Sequence, residues 1–310
     1  MNSKKIARYK NLIDANKDKE HEGFGISSIL FALSILLIGC AEFALLYYSD
    51  LGLLMYAGII VLIITGLILF HKLESKKTSS RSVKYTEAAN FLKALSIVPL
   101  IRILDFTLPL ELFSPIYWPL IVGIPLLLGV GVLARILRIE LNDVGIVVNR
   151  IPLQVIIASS GISFGLIEYS LIRPAPLITT LTFSNAILPA IILLIFTGFT
   201  EELIFRGILQ NVASRLFSPS LGILYASLLF TLMHLGQPFQ DPALLQTLAS
   251  PDLLQLIKKL IFAVVPYLTY IFAASVFYGI IFQKTRILTG ISASHGFTNI
   301  IVYLIAPFVF

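Results

Sequence analysis

Nine long apolar runs occupy most of the 310-residue sequence, and each is close to the length of a membrane-spanning helix. A helix rises about 1.5 Å per residue, so roughly 20 apolar residues cross a hydrocarbon core of about 30 Å. Backbone groups cannot stay unpaired in lipid, and no run shows the alternation of a barrel strand, so helices are expected. We predict spans at 24–48, 51–71, 90–113, 115–137, 152–172, 184–212, 219–236, 256–282 and 286–307. Lys93, Arg102 and Asp105 interrupt the third run, so the prediction is an all-α, polytopic transmembrane bundle of eight or nine spans.

The overall composition excludes most other classes of protein. Apolar residues of the set AVILMFWYC make up 57% of the chain, charged residues 13%, and the mean hydropathy is +0.91. A soluble fold of this size would expose large apolar patches, and a disordered chain would carry far fewer apolar side chains. The single cysteine, Cys40, excludes an intramolecular disulfide, and zinc-finger or iron–sulfur sites are excluded with it.

The net charge of +6 does not indicate nucleic-acid binding, because the basic residues lie in short loops between apolar runs. With the N-terminus placed in the cytoplasm, 18 of the 23 Lys and Arg residues fall in inside loops and three in outside loops. Such a bias is typical of membrane topology. We therefore expect a cytoplasmic N-terminus, the lipid bilayer as the first partner, and no nucleic acid.

The sequence divides into two parts of different character. Residues 1–85 read as a basic N-terminal tail followed by a hairpin of two spans, and the polar stretch 72–86 is the expected linker. Residues 90–310 form the second domain, which contains all the polar clusters described below.

The first polar cluster is a pair of adjacent carboxylates, Glu201 and Glu202, followed by Arg206. Glu202 and Arg206 are four residues apart, so they share a helical face and can form an ion pair. Glu201 points about 100° away and is free for another role. The alternative is a helix end at the membrane interface, where these side chains are simply hydrated.

Two further clusters contain histidine. His234 follows Phe230 by four residues near the end of an apolar span, and His295 precedes Asn299 by four residues in the last span. Ionisable groups inside apolar spans mark functional sites by default. The alternatives are a structural core histidine at 234 and an interhelical hydrogen-bond pair at 295 and 299.

Taken together, the three clusters predict a polar catalytic cavity among the C-terminal helices. If residues 184–216 and 217–237 form an antiparallel hairpin, a turn near 215–218 brings Glu201 level with His234. A carboxylate and an imidazole can draw a proton from a shared water, and His295 and Asn299 offer two neutral donors to a developing oxyanion. The sequence contains none of the usual serine, cysteine or His-Glu-x-x-His motifs. A general base with an oxyanion hole is suited to amide hydrolysis.

The segments EELIFR at 201–206, FTLMH at 230–234 and HGFTN at 295–299 resemble the three motifs of the CPBP family of intramembrane proteases. This family includes the type II CAAX prenyl endopeptidases and the bacteriocin-processing, Abi-like enzymes. The resemblance covers roughly residues 90–310. It implies a prokaryotic-type, multi-pass membrane protease, with a membrane-associated or lipidated protein or peptide as its substrate.

By the same resemblance, Glu201 and His234 activate the water, and His295 and Asn299 stabilise the oxyanion. Glu202, Arg206 and Phe230 support the site. Members of the family have also been described as metalloproteases. Glu201, His234 and His295 are the candidate ligands of a divalent metal such as zinc, although no two of them have the close spacing of a zinc helix.

Two other functions stay open at this point. One is a non-catalytic immunity or scaffold protein of the same fold. The other is a small proton-coupled transporter that uses the polar cluster as a relay, although no pair of Gly- or Pro-broken helices occurs in matching halves. The sequence predicts no oligomeric state.

Overall fold

The computed structural model describes residues 25–74, 79–240 and 253–310, and these residues form helices and loops without a β-strand. The helices are α1 (Ile26–Tyr47), α2 (Ser49–Glu74), α3 (Ser79–Leu95), α4 (Ile97–Thr107), α5 (Trp118–Ile136), α6 (Ile151–Ile172), α7 (Phe183–Leu216), α8 (Pro219–Met233), α9 (Leu253–Lys259, continued by Leu260–Val264 and Val265–Thr285) and α10 (Leu288–Val309). Short 3₁₀ turns occur at Leu110–Leu112, Pro115–Tyr117 and Gln237–Gln240.

Within the described ranges, eight helices are long and apolar enough to cross a membrane, which confirms the polytopic helix bundle. Their ends lie within about four residues of the predicted spans, apart from the third predicted span. Residues 90–113, the third predicted span, do not form one of these eight helices. Two shorter helices, α3 and α4, occupy this region, because charged residues reduce its apolarity and the helix is broken at Ser96. Helix α3 also begins at Ser79, inside the stretch predicted as a linker.

Helix α7 contains two π-helical segments, Leu193–Phe199 and Leu203–Gln210, on either side of Thr200–Glu202. In a π-turn the hydrogen bond runs from residue i to i+5, which widens the turn and shifts the side chains that follow. The hydroxyl of Thr200 donates to the carbonyl of Ile195, five residues earlier, at 2.9 Å. Such segments occur frequently at functional sites, and here they flank the two adjacent glutamates.

Helix α10 is the most buried of the eight membrane-length helices, with half of its most apolar stretch buried. Small residues let its neighbours approach it: Gly161 and Gly165 of α6 have the Gly-x-x-x-Gly spacing of membrane helix pairs. A Cβ at Gly161 would lie 2.0 Å from the carbonyl oxygen of Ser294, and one at Gly198 would lie 2.5 Å from the backbone nitrogen of Gly296. Backbone contact on two sides therefore fixes the helix that carries the last motif.

The N-terminal hairpin packs against the C-terminal part of the chain rather than standing apart. Helix α1 contacts both α2 and α8, and α2 contacts α3 and α4. Buried side chains from the hairpin, Ile38 and Tyr56 among them, share one hydrophobic core with Leu229 and Phe230 of α8. Residues 1–24, which include the predicted basic tail, lie outside the described residues.

The close approach at Gly161 predicts that Gly161→Ala destabilises the protein. The added methyl group would press into the Ser294 carbonyl, so either α6 or α10 must shift, at a cost of about 1–3 kcal/mol. Thermal unfolding in detergent measures the loss. Gly58→Ala is the matched control, since a Cβ at this helical position meets nothing within 4 Å. Equal melting temperatures for both variants would contradict the packing described here.

Candidate active site

Glu202 lies at the centre of the polar cluster and is completely buried. Its Oε1 atom accepts a hydrogen bond from Arg206 Nη1 at 3.0 Å and another from His295 Nδ1 at 2.8 Å. The ion pair expected from the spacing of Glu202 and Arg206 therefore forms, and neither side chain is hydrated as at an open helix end. One carboxylate oxygen thus links α7 to α10.

Arg206 makes further contacts that fix its position. Its Nη2 donates to the carbonyl and the hydroxyl of Ser275 on α9, at 3.2 and 2.9 Å. The guanidinium carbon lies 4.9 Å from the centre of the Phe230 ring and 5.7 Å from that of Tyr278, within the range of cation–π contacts. Phe230 also packs against His234 and His295, with ring centres 4.3 and 5.7 Å away. Phe230 therefore supports both imidazoles, and Arg206 connects three helices.

His295 has one ring nitrogen committed to Glu202. A carboxylate paired with Arg206 can only accept, so Nδ1 of His295 is the donor in that hydrogen bond. Its Nε2 lies 3.8 Å from Glu201 Oε2, a buried atom with no hydrogen-bond partner among the described residues. Because Nδ1 carries a hydrogen, Nε2 can act as a donor only when the ring is cationic. The expectation of a neutral donor at His295 does not match this geometry.

The Nε2 atom of His234 has the opposite hydrogen-bonding capacity to that of a cationic His295. Its Nδ1 lies 2.8 Å from the carbonyl oxygen of Phe230, and a carbonyl can only accept, so Nδ1 carries the hydrogen. In the neutral ring Nε2 then has a free lone pair. His234 is therefore arranged as a hydrogen-bond or proton acceptor.

Asn299 is oriented by Thr197 of α7. The Thr197 hydroxyl donates to the Leu193 carbonyl, so its oxygen accepts a hydrogen bond from Asn299 Nδ2 at 2.9 Å. The amide nitrogen of asparagine carries two hydrogens, and this contact uses one of them. The second remains for a ligand.

His234, His295 and Asn299 line one small cavity of about 30 Å³. A cavity of this size has room for one or two water molecules. Tyr270, Tyr278 and Ser275 also line it, together with Glu168 of α6. Three of the four predicted catalytic side chains therefore meet at one water-sized space, and Glu201 joins them through its contact with His295.

The predicted hairpin turn is present, since α7 ends at Leu216 and α8 begins at Pro219. No hydrogen bond or ion pair between Glu201 and His234 occurs among the residues described. The physical reason is the packing: Thr200–Glu202 contacts α10, whereas the following π-helical segment Leu203–Gln210 contacts α8. The imidazole that Glu201 contacts is consequently that of His295.

The sequence interpretation did not include two buried carboxylates. Glu168 lies inside an apolar span and lines the cavity, and Glu42 lies inside α1, where it pairs with Arg102. A glutamate within an apolar run was the available signal for both.

The candidate metal ligands do not gather into a metal site. In the described ranges, no group of three or more His, Cys, Asp or Glu side chains could hold a metal ion. Nδ1 of both histidines is already committed, and only the Glu201–His295 contact brings two of the three candidates together. No step of the reaction is therefore assigned to a metal.

The eight membrane-length helices of the described ranges define an integral multi-pass membrane protein, and residues of α6, α8, α9 and α10 line its small cavity of histidine, asparagine and carboxylate side chains. Residues 182–301 match the family model described as type II CAAX prenyl endopeptidase Rce1-like. This stretch contains all three motifs, so the match confirms the resemblance over these residues and supports a membrane protease. Comparisons with curated proteins and with solved structures give no match.

Removing Arg206 should destabilise the protein as well as inactivate it. Arg206→Ala leaves the buried Glu202 carboxylate without its cation, at a cost of about 3–5 kcal/mol for a buried pair. Folded yield and unfolding temperature in detergent measure the effect. Arg215→Ala is the control, because Arg215 lies on the same helix with an exposed side chain and should change neither quantity. If the two variants behave alike, the Glu202–Arg206 pair is not buried.

Proposed function

We propose that this protein is an intramembrane endopeptidase that hydrolyses a peptide bond of a membrane-bound or lipidated protein or peptide, in CAAX-type or leader-type processing. The observation that carries the proposal is the water-sized cavity lined by His234, His295 and Asn299, together with the unpartnered Oε2 of Glu201, which lies 3.8 Å from His295 Nε2. A buried carboxylate oxygen without a donor is costly, and a water molecule in the cavity would supply that donor. We further propose a prokaryotic-type cell membrane as the location, with the N-terminus in the cytoplasm.

The first step uses Glu201 as the proton acceptor and His234 as a hydrogen-bond acceptor. The water oxygen adds to the carbonyl carbon of the scissile bond, and Glu201 Oε2 takes one of its protons. The free lone pair of His234 Nε2 accepts a hydrogen bond from the other O–H of the water, which stays bonded to the attacking oxygen, and so orients that oxygen. A general base of this kind contributes about 10²–10⁴-fold to the rate.

The second step uses His295 and Asn299 as donors. The carbonyl oxygen becomes an oxyanion and accepts hydrogen bonds from Nε2–H of the cationic His295 and from the second hydrogen of Asn299 Nδ2. The C–N bond then breaks, and the proton held by Glu201 passes to the leaving amine nitrogen. Glu201 and His295 return to their starting states, so no further reactant is needed.

The alternatives fit the site less well. A non-catalytic scaffold gains nothing from a buried carboxylate oxygen without a partner, which lowers its stability. A proton-coupled transporter needs polar groups that lead through the membrane, whereas this cavity holds only one or two waters. Hydrolysis uses both the unpartnered carboxylate oxygen and a cavity that holds one or two waters.

Glu201→Gln should lower peptide cleavage by about 10²–10⁴-fold, because the amide keeps the shape of the carboxylate but cannot take a proton. Cleavage is measured in proteoliposomes with two probes, a peptide that ends in a farnesylated CAAX sequence and an unprenylated membrane peptide. Peptide termini in membranes that carry wild type or variant are compared in parallel.

Glu111→Gln is the matched control for this experiment, since Glu111 is an exposed glutamate far along the chain from the motifs, and it should cut like wild type. Dialysis against 1,10-phenanthroline should leave wild-type cleavage unchanged if no metal takes part. Retention of more than about a tenth of the wild-type rate by Glu201→Gln is inconsistent with a general base and would refute the mechanism.

Asn299→Ala should lower turnover by about 10²–10³-fold and leave substrate binding intact, because the lost donor acts only as negative charge develops. Single-turnover cleavage and binding of the same membrane peptide are measured side by side. Thr197→Val, which removes only the group that orients the amide, should cause a smaller loss. Equal losses of binding and turnover in Asn299→Ala would mean that Asn299 holds the helices together instead.

A further inference from the structure

Arg102 of α4 lies in another charged cluster, outside the stretch that matches the family model. Its Nε and Nη2 donate to the two carboxylate oxygens of Glu42 at 2.6 and 3.0 Å, and its Nη1 donates to Asp105 at 3.0 Å. The Tyr56 hydroxyl donates to Glu42 Oε1 at 2.5 Å. Both partners of the bidentate pair are largely buried, so the guanidinium is held in one orientation by α1, α2 and α4.

The remaining contact of Arg102 leads to the candidate active site. Its Nη2 also donates to the backbone carbonyl of Met233, the last residue of α8 and the neighbour of His234. The final carbonyls of a helix have no partner within the helix, and a cation at this end is favourable. Beyond Met233 the chain leaves the α-helical conformation, and His234 N–H bonds to the Thr231 carbonyl in a tighter turn. Arg102 therefore caps the helix end at the residue before the imidazole.

We propose that Arg102, oriented by Glu42, is a positioning residue for His234, which makes the N-terminal hairpin a working part of the active site. The proposal rests on the proposed function, in which His234 Nε2 must face the cavity. The ring direction depends on the hydrogen bond between Nδ1 and the Phe230 carbonyl, one turn earlier on the same helix end. If the C-terminal end of α8 unwinds, the hydrogen bond between His234 Nδ1 and the Phe230 carbonyl breaks. His234 Nε2 then no longer points in a fixed direction. A displacement of about 1 Å in a catalytic group can cost about 10²-fold in rate.

The structure provides a matched control for this proposal. Helices α1 and α8 share a direct polar contact, between the hydroxyls of Ser34 and Tyr225 at 2.8 Å, nine residues before His234. Tyr225→Phe removes this buried hydrogen bond between the hairpin and α8 without changing the helix end. If the hairpin has only a structural role, substitutions at Arg102 and at Tyr225 should have similar effects on kcat.

The first measurement is the kinetics of Arg102→Gln, Arg102→Lys and Tyr225→Phe in proteoliposomes with the membrane peptides named above. Arg102→Gln should lower kcat about 10–100-fold while KM changes less than about threefold. Arg102→Lys should fall between this variant and wild type, because an ammonium can reach Glu42 or the Met233 carbonyl but lacks the planar fork that joins them. Tyr225→Phe should lower the unfolding temperature but leave kcat within about twofold.

The second measurement does not depend on turnover. Diethyl pyrocarbonate modifies free imidazoles, and the modification of His234 is measured by mass spectrometry relative to the exposed His71 on α2. We expect the relative rate at His234 to rise at least about threefold in Arg102→Gln, through local opening of the helix end, and to stay unchanged in Tyr225→Phe.

An unchanged kcat and an unchanged His234 reactivity in the Arg102 variants would overturn the positioning role. A loss of kcat in Tyr225→Phe equal to that in Arg102→Gln would also overturn it. If Arg102→Gln does not fold, Arg102→Lys decides by the same two criteria. Failure of the proposed function is a different result, namely equal cleavage by wild type and Glu201→Gln, and the labelling experiment still decides the role of Arg102 in that case.

Discussion

The carboxylate of Glu202 is the interaction on which the rest of the site depends. It is completely buried between apolar helices, where an isolated charge would be very costly. One of its oxygens accepts from both Arg206 and His295, so a single atom sets the distance between α7 and α10. The close contact between Gly198 of α7 and Gly296 of α10 requires the same short distance between the two helix backbones. The position of His295 therefore follows from charge pairing and steric contact together.

Charge balance extends this argument to the state of His295. The ion-pair network around His295 contains two carboxylates, Glu201 and Glu202, and one guanidinium, Arg206. A neutral His295 leaves one uncompensated negative charge in this network, whereas a cationic His295 makes the network neutral. The same cation is the form in which Nε2 can donate to an oxyanion. Folding and the proposed chemistry thus favour the same form of this residue.

The sequence was sufficient to predict the parts of the structure that depend on local patterns. Apolar runs gave eight spans and the turn between α7 and α8, and the four-residue spacing gave the pair of Glu202 and Arg206. The remaining features depend on contacts between distant residues or on irregular helices. The region 90–113 is broken into shorter helices whose Arg102 pairs with Glu42, 60 residues earlier in the chain. The π-helical segments that flank Glu201 have no signature in the apolar pattern.

The two histidines differ in hydrogen-bonding capacity because their Nδ1 atoms bind different anchoring groups. Both are held at Nδ1 and can offer Nε2 to the cavity, but the anchors differ in charge. His234 is bound to the Phe230 carbonyl, a dipole that accepts a hydrogen bond without requiring a positive ring. His295 is bound to the Glu202 carboxylate, and with Glu201 on its other side it faces two anionic groups. The neutral ring presents a lone pair and the cationic ring presents a hydrogen. The hydrogen-bond acceptor and the oxyanion donor that we propose thus arise from one residue type, because the groups bound at Nδ1 differ in charge.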